Sequence, residues 1–440
     1  MLKEVGVAIL YFSKSGKYGA FALAAALEKN VKGLRVELLD LDREICIIDK
    51  LRELSKKFRR LIIGFSFNSL KLDIVRVLAR EIRKYINNTI LVAGGPHPSA
   101  DPLGTLIKLG FDIAVVGEGE ETFVELVENV IDGGEGKVAG TATLEGNYVL
   151  VRRRSKFVNL DEYPPTPIWK GIFAPIEIMR GCSSCCKFCQ VCYIFGPPRY
   201  RSIDTIVEYA KVMWSRGLKD LRFIAPNSFG YGSPDGLRPE PSALIELAEK
   251  LRKVANTYGG RIFLGTFPSE VRPDSVVDEL VRELRKLVDN KRIIVGAQSG
   301  SDRILKLVNR NHTVQDVLNA VEILIKNGFK VDVDIIFGLP GESEEDIVAT
   351  VNLCKKLVEM GARIHAHTFM PLPGTPLDEA PPGRIEKWVK KEIAKLVGRG
   401  RAYGYWREQE VLAEILARYR ESKLFYTLRE QRKHIKTVIM

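Results

Sequence analysis

The sequence has no long hydrophobic run, little glutamine, and few cysteines outside one short segment. No apolar run approaches the roughly 18 residues that a membrane helix needs, so no membrane span is predicted. Five of the seven cysteines lie within residues 182–192, which is unlike the even spread of a disulfide framework. These absences favour a cytoplasmic protein whose reduced thiols serve metal or redox chemistry.

The composition is that of a globular protein with more than one domain. Hydrophobic residues make up 45% and charged residues 28% of 440 residues, a length that predicts two or three domains. Glutamine occurs five times, whereas Lys, Arg, Glu, Ile and Val are abundant. This bias is typical of thermophile proteins.

The positive charge is concentrated near the C-terminus. The net charge is +12, and residues 381–440 hold 15 Lys or Arg against 7 Asp or Glu. An acidic partner, nucleic acid included, would meet the protein there first. A solvated basic face on two packed helices explains the same charges and is the favoured interpretation.

Residues 1–135 alternate between apolar strand patterns and amphipathic helix patterns. This alternation predicts a Rossmann-like, doubly wound parallel sheet. Such sheets bind ligands beyond the carboxyl ends of their strands. Those ends carry Ser66, a turn over residues 94–97 and a turn over residues 117–120.

The remaining chain is predicted to hold a second α/β domain. Residues 136–170 read as a hairpin and a proline-rich linker. Residues 171–376 contain six strand–helix units of about thirty residues, which predicts a (β/α)6 partial TIM barrel with its chemistry at the carboxyl ends of the strands. Residues 377–440 are predicted to form a basic helical extension.

The cysteine spacing fits an open cluster better than a zinc site or a ferredoxin run. A tetrahedral zinc site usually joins two separate pairs, and the distant Cys46 and Cys354 are poor partners. A bacterial ferredoxin run needs a fourth cysteine where Gly196 stands. The spacing C-x3-C-x2-C fits twice, once starting at Cys182 and once starting at Cys185.

The first of these registers resembles the RGCxxxCxFC loop of radical SAM enzymes. Arg180 and Gly181 precede Cys182, and Phe188 precedes Cys189. The resemblance implies that Cys182, Cys186 and Cys189 hold a [4Fe–4S] cluster whose fourth iron binds S-adenosylmethionine (SAM). Cys185 and Cys192 are then spare thiols, and packing is their favoured role.

Later turns resemble those of the same family. The stretches APNSF, PSEVRP, QSGSD, GLPGE and PLPGTP follow predicted strands two to six in the family's order, and LKLVNRNHT comes shortly after QSGSD. The residues that this resemblance assigns to SAM binding are Phe188, Asn227, Ser269, Glu270, Gln298 and Ser299. It also implies reductive cleavage of SAM to a 5′-deoxyadenosyl radical, with an electron donor such as a ferredoxin or flavodoxin.

The N-terminal domain resembles the cobalamin-binding domain of one radical SAM subgroup, and an uncharacterised archaeal family in particular. The matching stretches are VAGGPHPSADP and VVGEGE. The resemblance implies a cobalamin site at Ser66, Gly94 and Gly95. The DxHxxG motif is missing, and His97 reads as a polar turn residue rather than a ligand. A scaffold domain without cobalamin is the alternative.

Two further histidines, His365 and His367, alternate along the sixth predicted strand of the barrel and so face the same side. If that side is the barrel interior, one of them could contact substrate or adenine. A structural histidine is an equally good interpretation.

Three functions follow from these patterns. The favoured one is a cobalamin-dependent radical SAM methyltransferase with an unidentified substrate. The second is a radical SAM enzyme for rearrangement or sulfur insertion, whose N-terminal domain is a scaffold. The third is an iron–sulfur module that binds nucleic acid, for which salt-dependent affinity and no SAM cleavage are expected.

Overall fold

The computed structural model describes residues 3–440, which divide into two compact units. Unit 1 comprises the residues up to Ala174, Leu372–Asp378 and Arg418–Met440; unit 2 comprises Pro175–Pro371 and Glu379–Ala417. No described helix has the length and apolarity to cross a membrane.

Unit 1 begins with alternating strands and helices. The strands are β1 (Lys3–Tyr11), β2 (Val36–Asp40), β3 (Phe58–Ser66), β4 (Thr89–Gly94), β5 (Ile113–Val115), β6 (Thr141–Glu145) and β7 (Tyr148–Arg153). The helices are α1 (Lys17–Asn30), α2 (Ile47–Ser55), α3 (Leu72–Tyr85), α4 (Pro96–Ala100), α5 (Pro102–Ile107) and α6 (Glu120–Ile131).

Unit 2 follows with short strands at both ends and longer ones between. The strands are β8 (Ile176–Glu177), β9 (Met179–Arg180), β10 (Arg199–Tyr200), β11 (Asp220–Ile224), β12 (Arg261–Phe263), β13 (Arg292–Gln298), β14 (Lys330–Phe337), β15 (Arg363–Thr368) and β16 (Ala402–Tyr403). The helices are α7 (Val191–Phe195), α8 (Ile203–Ser215), α9 (Pro241–Tyr258), α10 (Asp278–Leu287), α11 (Asp302–Leu307), α12 (Val314–Lys326), α13 (Glu344–Glu359), α14 (Lys387–Gly398) and α15 (Trp406–Glu421). The chain then returns to unit 1 with α16 (Leu428–Gln431) and β17 (Ile435–Ile439).

The sheet of unit 1 confirms the predicted parallel, doubly wound arrangement. Its strand order is β17-β7-β6-β5-β4-β3-β1-β2, and β1 to β5 are parallel. The chain reverses its direction of winding between β1 and β3. Doubly wound sheets bind ligands at such a reversal.

Both faces of this sheet are buried, as the apolar strand patterns require. Side chains alternate across a strand, so Ala8 and Leu10 of β1 lie in the core that contains Leu72 of α3. On the other face, Val7 and Ile9 lie in the core that contains the alanines of α1. The two cores fix β1 and its neighbours in the centre of the unit.

The parallel strands of unit 2 occur in the predicted order. β8, β11 and β12 form one sheet, and β13, β14, β15 and β16 form another. A bridge between Val271 and Val295 leads from one group toward the other. All six predicted strands are present, and β16 adds a strand that was not predicted. Closure into a partial barrel stays a prediction.

The division of the chain differs from the predicted segments at two places. The hairpin of β6 and β7 extends the sheet of unit 1 and is therefore part of that domain. The predicted C-terminal helical extension is shared between the units, because β16 pairs with β15 and β17 pairs with β7. Both strands are short, and neither has a pattern that distinguishes it from a helix end or a tail.

His97 is buried in unit 1 and is not the polar turn residue that the sequence favoured. It lies in α4 with no exposed surface, and its Nδ1 is 2.9 Å from Ser69 Oγ. Its ring stacks on Phe67 with centroids 5.7 Å apart, and its Nε2 has no hydrogen-bond partner among the described residues. Burial lowers the pKa of His97 to about 3.

Asp101 is buried beside His97. Its carboxylate accepts hydrogen bonds from the backbone N–H groups of Gly104 and Tyr426, at 2.9 and 3.0 Å. Its Oδ2 lies 4.0 Å from His97 Nε2, which is too far for a hydrogen bond. Burial raises the pKa of Asp101 to about 7, so below neutral pH the folded chain holds a neutral pair.

Replacing His97 with Gln is predicted to make the free energy of unfolding depend on pH. In the unmodified protein the effects of His97 and Asp101 on this quantity cancel. Between about pH 4 and 6.5 the unfolded chain carries one proton on His97, and the folded chain carries one on Asp101. Equal proton counts leave the free energy of unfolding independent of pH. In His97→Gln the folded state binds more protons than the unfolded state. The free energy of unfolding should therefore fall by about 3 kcal/mol as pH rises from about 4 to about 7.

Urea denaturation across this pH range measures the slope. Asp101→Asn is the matched control and should show the opposite slope, because its unfolded chain still gains a proton at His97 below about pH 6.5. Slopes of the same sign in both variants would contradict a neutral pair.

Candidate active site

The five clustered cysteines separate into one disulfide and three free thiols. Cys185 and Cys192 form the disulfide, so they are not the spare thiols that the sequence suggested. Cys182, Cys186 and Cys189 remain free. The disulfide consumes both outer positions of the register that starts at Cys185, which leaves the register that starts at Cys182 available to a cluster.

The Arg-Gly lead-in to the loop has a steric cause. Gly181 has a φ of +83°, and a Cβ there would lie 2.1 Å from the carbonyl oxygen of Pro197. Only glycine fits this close approach. The next backbone N–H, that of Cys182, donates to Gly196 O at 2.9 Å. The start of the cysteine loop is thereby fixed against the segment that follows α7.

The residues just after α11 support the cysteine loop through hydrogen bonds. Lys187 N donates to Val308 O at 2.9 Å, and Asn309 Nδ2 donates to Ser184 O at 2.7 Å. These partners belong to the LKLVNRNHT stretch, whose resemblance to the radical SAM family was evident in the sequence. The stretch therefore supports the loop that carries the three free thiols.

Arg310 brings a positive charge to the thiols. Its Nη1 lies 3.7 Å from Cys186 Sγ, and its Nη2 donates to Gly296 O at 2.6 Å. The guanidinium is almost fully buried, and Glu270 Oε1 lies 3.8 Å away. A buried arginine beside a thiol favours the thiolate, which is the form that binds metal.

The surroundings of the three thiols favour the binding of positively charged iron ions. Burial raises the pKa of the Cys189 thiol to about 12, although its side chain is partly accessible at the surface, and negative charge on Cys186 and Cys182 adds to the rise. The three sulfur atoms are thus close enough to repel each other when ionised. Iron ions would offset the cost of ionising the thiols, because cysteine thiols lose their protons and bind as thiolates when they coordinate a metal.

Three of the predicted SAM-binding residues have their polar atoms engaged within the protein. Asn227 Oδ1 accepts from Arg272 N and from Ser275 Oγ, at 3.1 and 3.0 Å. Ser269 Oγ donates to Phe223 O at 2.6 Å and accepts from Ala225 N.

Ser299 is also fully buried, and its Oγ accepts from Ser301 N at 3.2 Å. These bonds assign Asn227, Ser269 and Ser299 to shaping the turns after β11, β12 and β13. Their contact with SAM stays a prediction.

The other three predicted SAM-binding residues lie nearer to the cysteine loop. Phe188 is in the loop itself and is partly exposed. Glu270 is near Arg310, and burial raises its pKa to about 7 while the Arg310 charge opposes the rise. Gln298 ends β13 with a φ of +76°, a strained value for a side chain other than glycine or asparagine. Their contact with SAM also stays a prediction.

The predicted cobalamin residues lie at the carboxyl edge of the sheet of unit 1. Ser66 ends β3 and Gly94 ends β4. Gly95 has a φ of +100°, and a Cβ there would lie 2.9 Å from Phe67 O, so the turn requires glycine. A Cβ on Gly94 would meet only ordinary contacts at 3.9 and 4.0 Å. The three residues therefore lie together at the strand ends beside the reversal of strand order, where doubly wound sheets bind ligands.

His365 and His367 lie on the same face of β15, as their spacing predicted. Asp334 of the neighbouring β14 joins them, with its Oδ1 2.8 Å from His365 Nδ1. Sequence reasoning missed Asp334, Arg310 and Gln409. Arg310 alone had a signal, because it stands within the family-like LKLVNRNHT stretch; Asp334 and Gln409 are brought to the histidines only by strand register and helix packing.

Comparison with known proteins confirms the two predicted domain types. The model of the radical SAM superfamily matches residues 176–354, and that of the B12 binding domain matches residues 8–127. The first match contains the cysteine loop and the strands β8 to β14. It therefore implies a [4Fe–4S] cluster and SAM, and the second match supports cobalamin as a further cofactor.

The curated relatives match the chain in part. Uncharacterized protein MJ1620 of Methanocaldococcus jannaschii is 28% identical over 362 residues, which cover 72% of this chain and 69% of that protein. The tRNA-2-methylthio-N(6)-dimethylallyladenosine synthase of Acetivibrio thermocellus is 30% identical over 227 residues, 51% of this chain and 44% of the synthase. The chain thus spans less than half of this second relative.

Two solved structures share the fold. The radical SAM methyltransferase TsrM of Kitasatospora setae, with cobalamin and a [4Fe–4S] cluster bound, has a TM-score of 0.69 at 16% identity, covering 88% of this chain and 76% of TsrM. The cobalamin-dependent radical SAM enzyme OxsB has a TM-score of 0.66 at 16% identity, covering 98% and 70%. At this identity the likeness concerns the fold alone.

Single replacement of Cys182, Cys186 or Cys189 with Ala is predicted to abolish the cluster. Each variant keeps only two of the three thiolates, so the iron content after anaerobic reconstitution should fall from about four per chain to near zero. The double variant Cys185→Ala, Cys192→Ala is the matched control and should keep its iron. A double variant without iron, together with a Cys182→Ala variant that retains it, would contradict the assigned register.

Proposed function

The chain belongs to the radical SAM superfamily and carries an N-terminal B12 binding domain, and from this premise we propose that it is a cobalamin-dependent radical SAM methyltransferase. The observation that carries the proposal is the presence of both domains in one chain. When bound, SAM at a reduced cluster supplies a 5′-deoxyadenosyl radical, and cobalamin supplies a carrier for the methyl group.

Within unit 2, the chain's own residues prepare the cluster site. Arg310 offsets negative charge at Cys186, and its buried setting strengthens this interaction relative to water. Arg272 is almost fully buried and donates to Ser184 Oγ, while its other nitrogens bind the Asp274 carboxylate at 3.0 and 2.8 Å. These contacts hold the cysteine loop in place through Ser184 and Cys186.

Within unit 1, the proposed cobalamin site lacks an axial histidine. His97 is buried below the Gly94–Gly95 turn and its Nδ1 is engaged with Ser69. We therefore expect cobalamin to bind without coordination by His97. This expectation replaces the DxHxxG type of site with one formed by backbone surface at the strand ends.

The match to a tRNA methylthiolation enzyme favours a shared radical domain over a shared reaction. It covers about half of this chain. Cys46 is the single cysteine among residues 1–174, so that region cannot supply three thiolates for a second cluster. Sulfur insertion and rearrangement stay as alternatives for a chain that cleaves SAM without binding cobalamin.

An anaerobic titration of the cluster-reconstituted protein with cob(II)alamin tests the proposal. We expect saturable binding and an electron paramagnetic resonance spectrum of the base-off form, in which no nitrogen occupies the lower axial position. Gly94→Leu should weaken this binding at least about tenfold, because a leucine side chain would occupy part of the proposed site at the end of β4, while its Cβ meets only ordinary contacts at 3.9 and 4.0 Å.

His434→Ala, a change at an exposed residue of the same unit, is the control and should bind normally. Absence of binding at concentrations at which the protein cleaves SAM to 5′-deoxyadenosine would exclude methyl transfer through cobalamin. The N-terminal domain would then be a scaffold for a different radical reaction.

A further inference from the structure

The polar face of β14 and β15 carries a cluster of one carboxylate and two imidazoles, and its carboxylate, that of Asp334, also interacts with Glu270. Asp334 pairs in register with His365, and His367 follows two residues later on the same side. The intervening residues of both strands face the opposite side and are buried. The three polar side chains are partly exposed, at 13, 23 and 25% for Asp334, His365 and His367.

The possible ligand atoms of this cluster lie close together, and the protons that they carry cannot satisfy every short contact between them. His365 Nδ1 lies 2.8 Å from Asp334 Oδ1 and 3.1 Å from His367 Nε2. If Nδ1 carries a proton, that proton serves Asp334 but opposes a proton on His367 Nε2. If Nδ1 is unprotonated, it accepts from His367 but turns a lone pair toward the carboxylate. Gln409 Nε2 donates to His367 Nδ1 at 3.2 Å, which places the proton of neutral His367 on Nε2, so either state of His365 leaves one short contact unfavourable.

We propose that Asp334 Oδ1, His365 Nδ1 and His367 Nε2 bind a divalent metal ion, separate from the iron–sulfur cluster. The three atoms are 2.8, 3.1 and 3.8 Å apart, so the circle through them has a radius of about 1.9 Å. An ion just above its centre would be about 2.0–2.2 Å from each atom, the usual length of zinc–nitrogen and zinc–oxygen bonds. A cation also turns three opposed lone pairs into three ligands.

The surroundings of the cluster hold its rings in place. The His365 ring stacks on Tyr403 with centroids 4.4 Å apart and planes 6° from parallel. Gln409 Oε1 accepts from Thr368 N at 2.9 Å, which directs Gln409 Nε2 toward His367 Nδ1 at 3.2 Å. Metal at His367 Nε2 places a proton on Nδ1 and opposes this contact. At 3.2 Å this contact is longer than the 2.8 and 3.1 Å contacts of His365 Nδ1 that the metal would replace.

The donor set selects the class of metal and leaves room for a ligand. Two imidazoles and one carboxylate suit borderline ions such as Zn²⁺ or Fe²⁺ rather than Mg²⁺ or Ca²⁺. No other trio of His, Cys, Asp or Glu among the described residues brings its ligand atoms within 4.8 Å of one another.

Three protein ligands leave at least one position for water or a substrate oxygen or nitrogen. Metal binding itself does not depend on the proposed function. The role of the ion in holding a substrate with such a donor atom rests on that function.

Zinc loading of the cluster-reconstituted holoenzyme tests the site. After addition of Zn²⁺ and removal of excess, we expect about one zinc per chain by mass spectrometry. Zinc-edge X-ray absorption should show nitrogen and oxygen neighbours at about 2.0 Å and no sulfur at about 2.3 Å. Sulfur neighbours would place the zinc at cysteines and overturn the proposal, as would absence of zinc uptake by the intact holoenzyme.

Variants assign the ligands. Asp334→Asn, His365→Ala and His367→Ala should each lower zinc affinity at least about tenfold, and His434→Ala should not. Unchanged zinc binding in the first three would overturn the assignment. Iron content and 5′-deoxyadenosine formation, measured on the same preparations, report folding and radical chemistry independently. If the zinc site fails while SAM cleavage and cobalamin binding persist, the metal inference falls and the proposed function stands.

Discussion

Three thiols that must ionise in a confined space set the main constraint on unit 2. Burial opposes the charged form of Cys189, negative charge on Cys186 and Cys182 adds to this effect, and nearby positive charge counters it. The protein supplies part of this positive charge through Arg310. The rest of the loop's architecture, from the glycine at position 181 to the supporting contacts of residues 308–310, keeps the three sulfur atoms in position against their repulsion.

In both units most of the predicted cofactor-binding residues lie where parallel strands end. In unit 1 these are the ends of β3 and β4, and in unit 2 they are the turns after β11, β12 and β13, whereas the cysteine loop follows β9, which pairs antiparallel with β10. Parallel strands buried on their flanks form a rigid support, and the loops beyond them are free to vary in sequence. Arg272, Glu270 and Arg310 illustrate this division, since each begins at a strand end or turn and reaches toward the cysteine loop.

The sequence was informative wherever local pattern decides structure. Apolar strands, helix periodicity and the ordered turns predicted both α/β domains and the open cysteine register. Features that depend on distant residues were missed. The disulfide between Cys185 and Cys192, the burial of His97 under Phe67 and Phe425, and the meeting of Asp334 with His365 all follow from three-dimensional packing. Periodicity has no access to such pairings.

The strand β17 has a consequence for how the chain is made. It pairs with β7, and about 280 residues, including all of unit 2, separate the two in sequence. During synthesis, the β7 edge of the first sheet therefore remains unpaired until unit 2 has emerged from the ribosome. An open strand edge invites pairing with other chains. The exposed, charged side chain of Arg153 in β7 opposes such pairing during that interval.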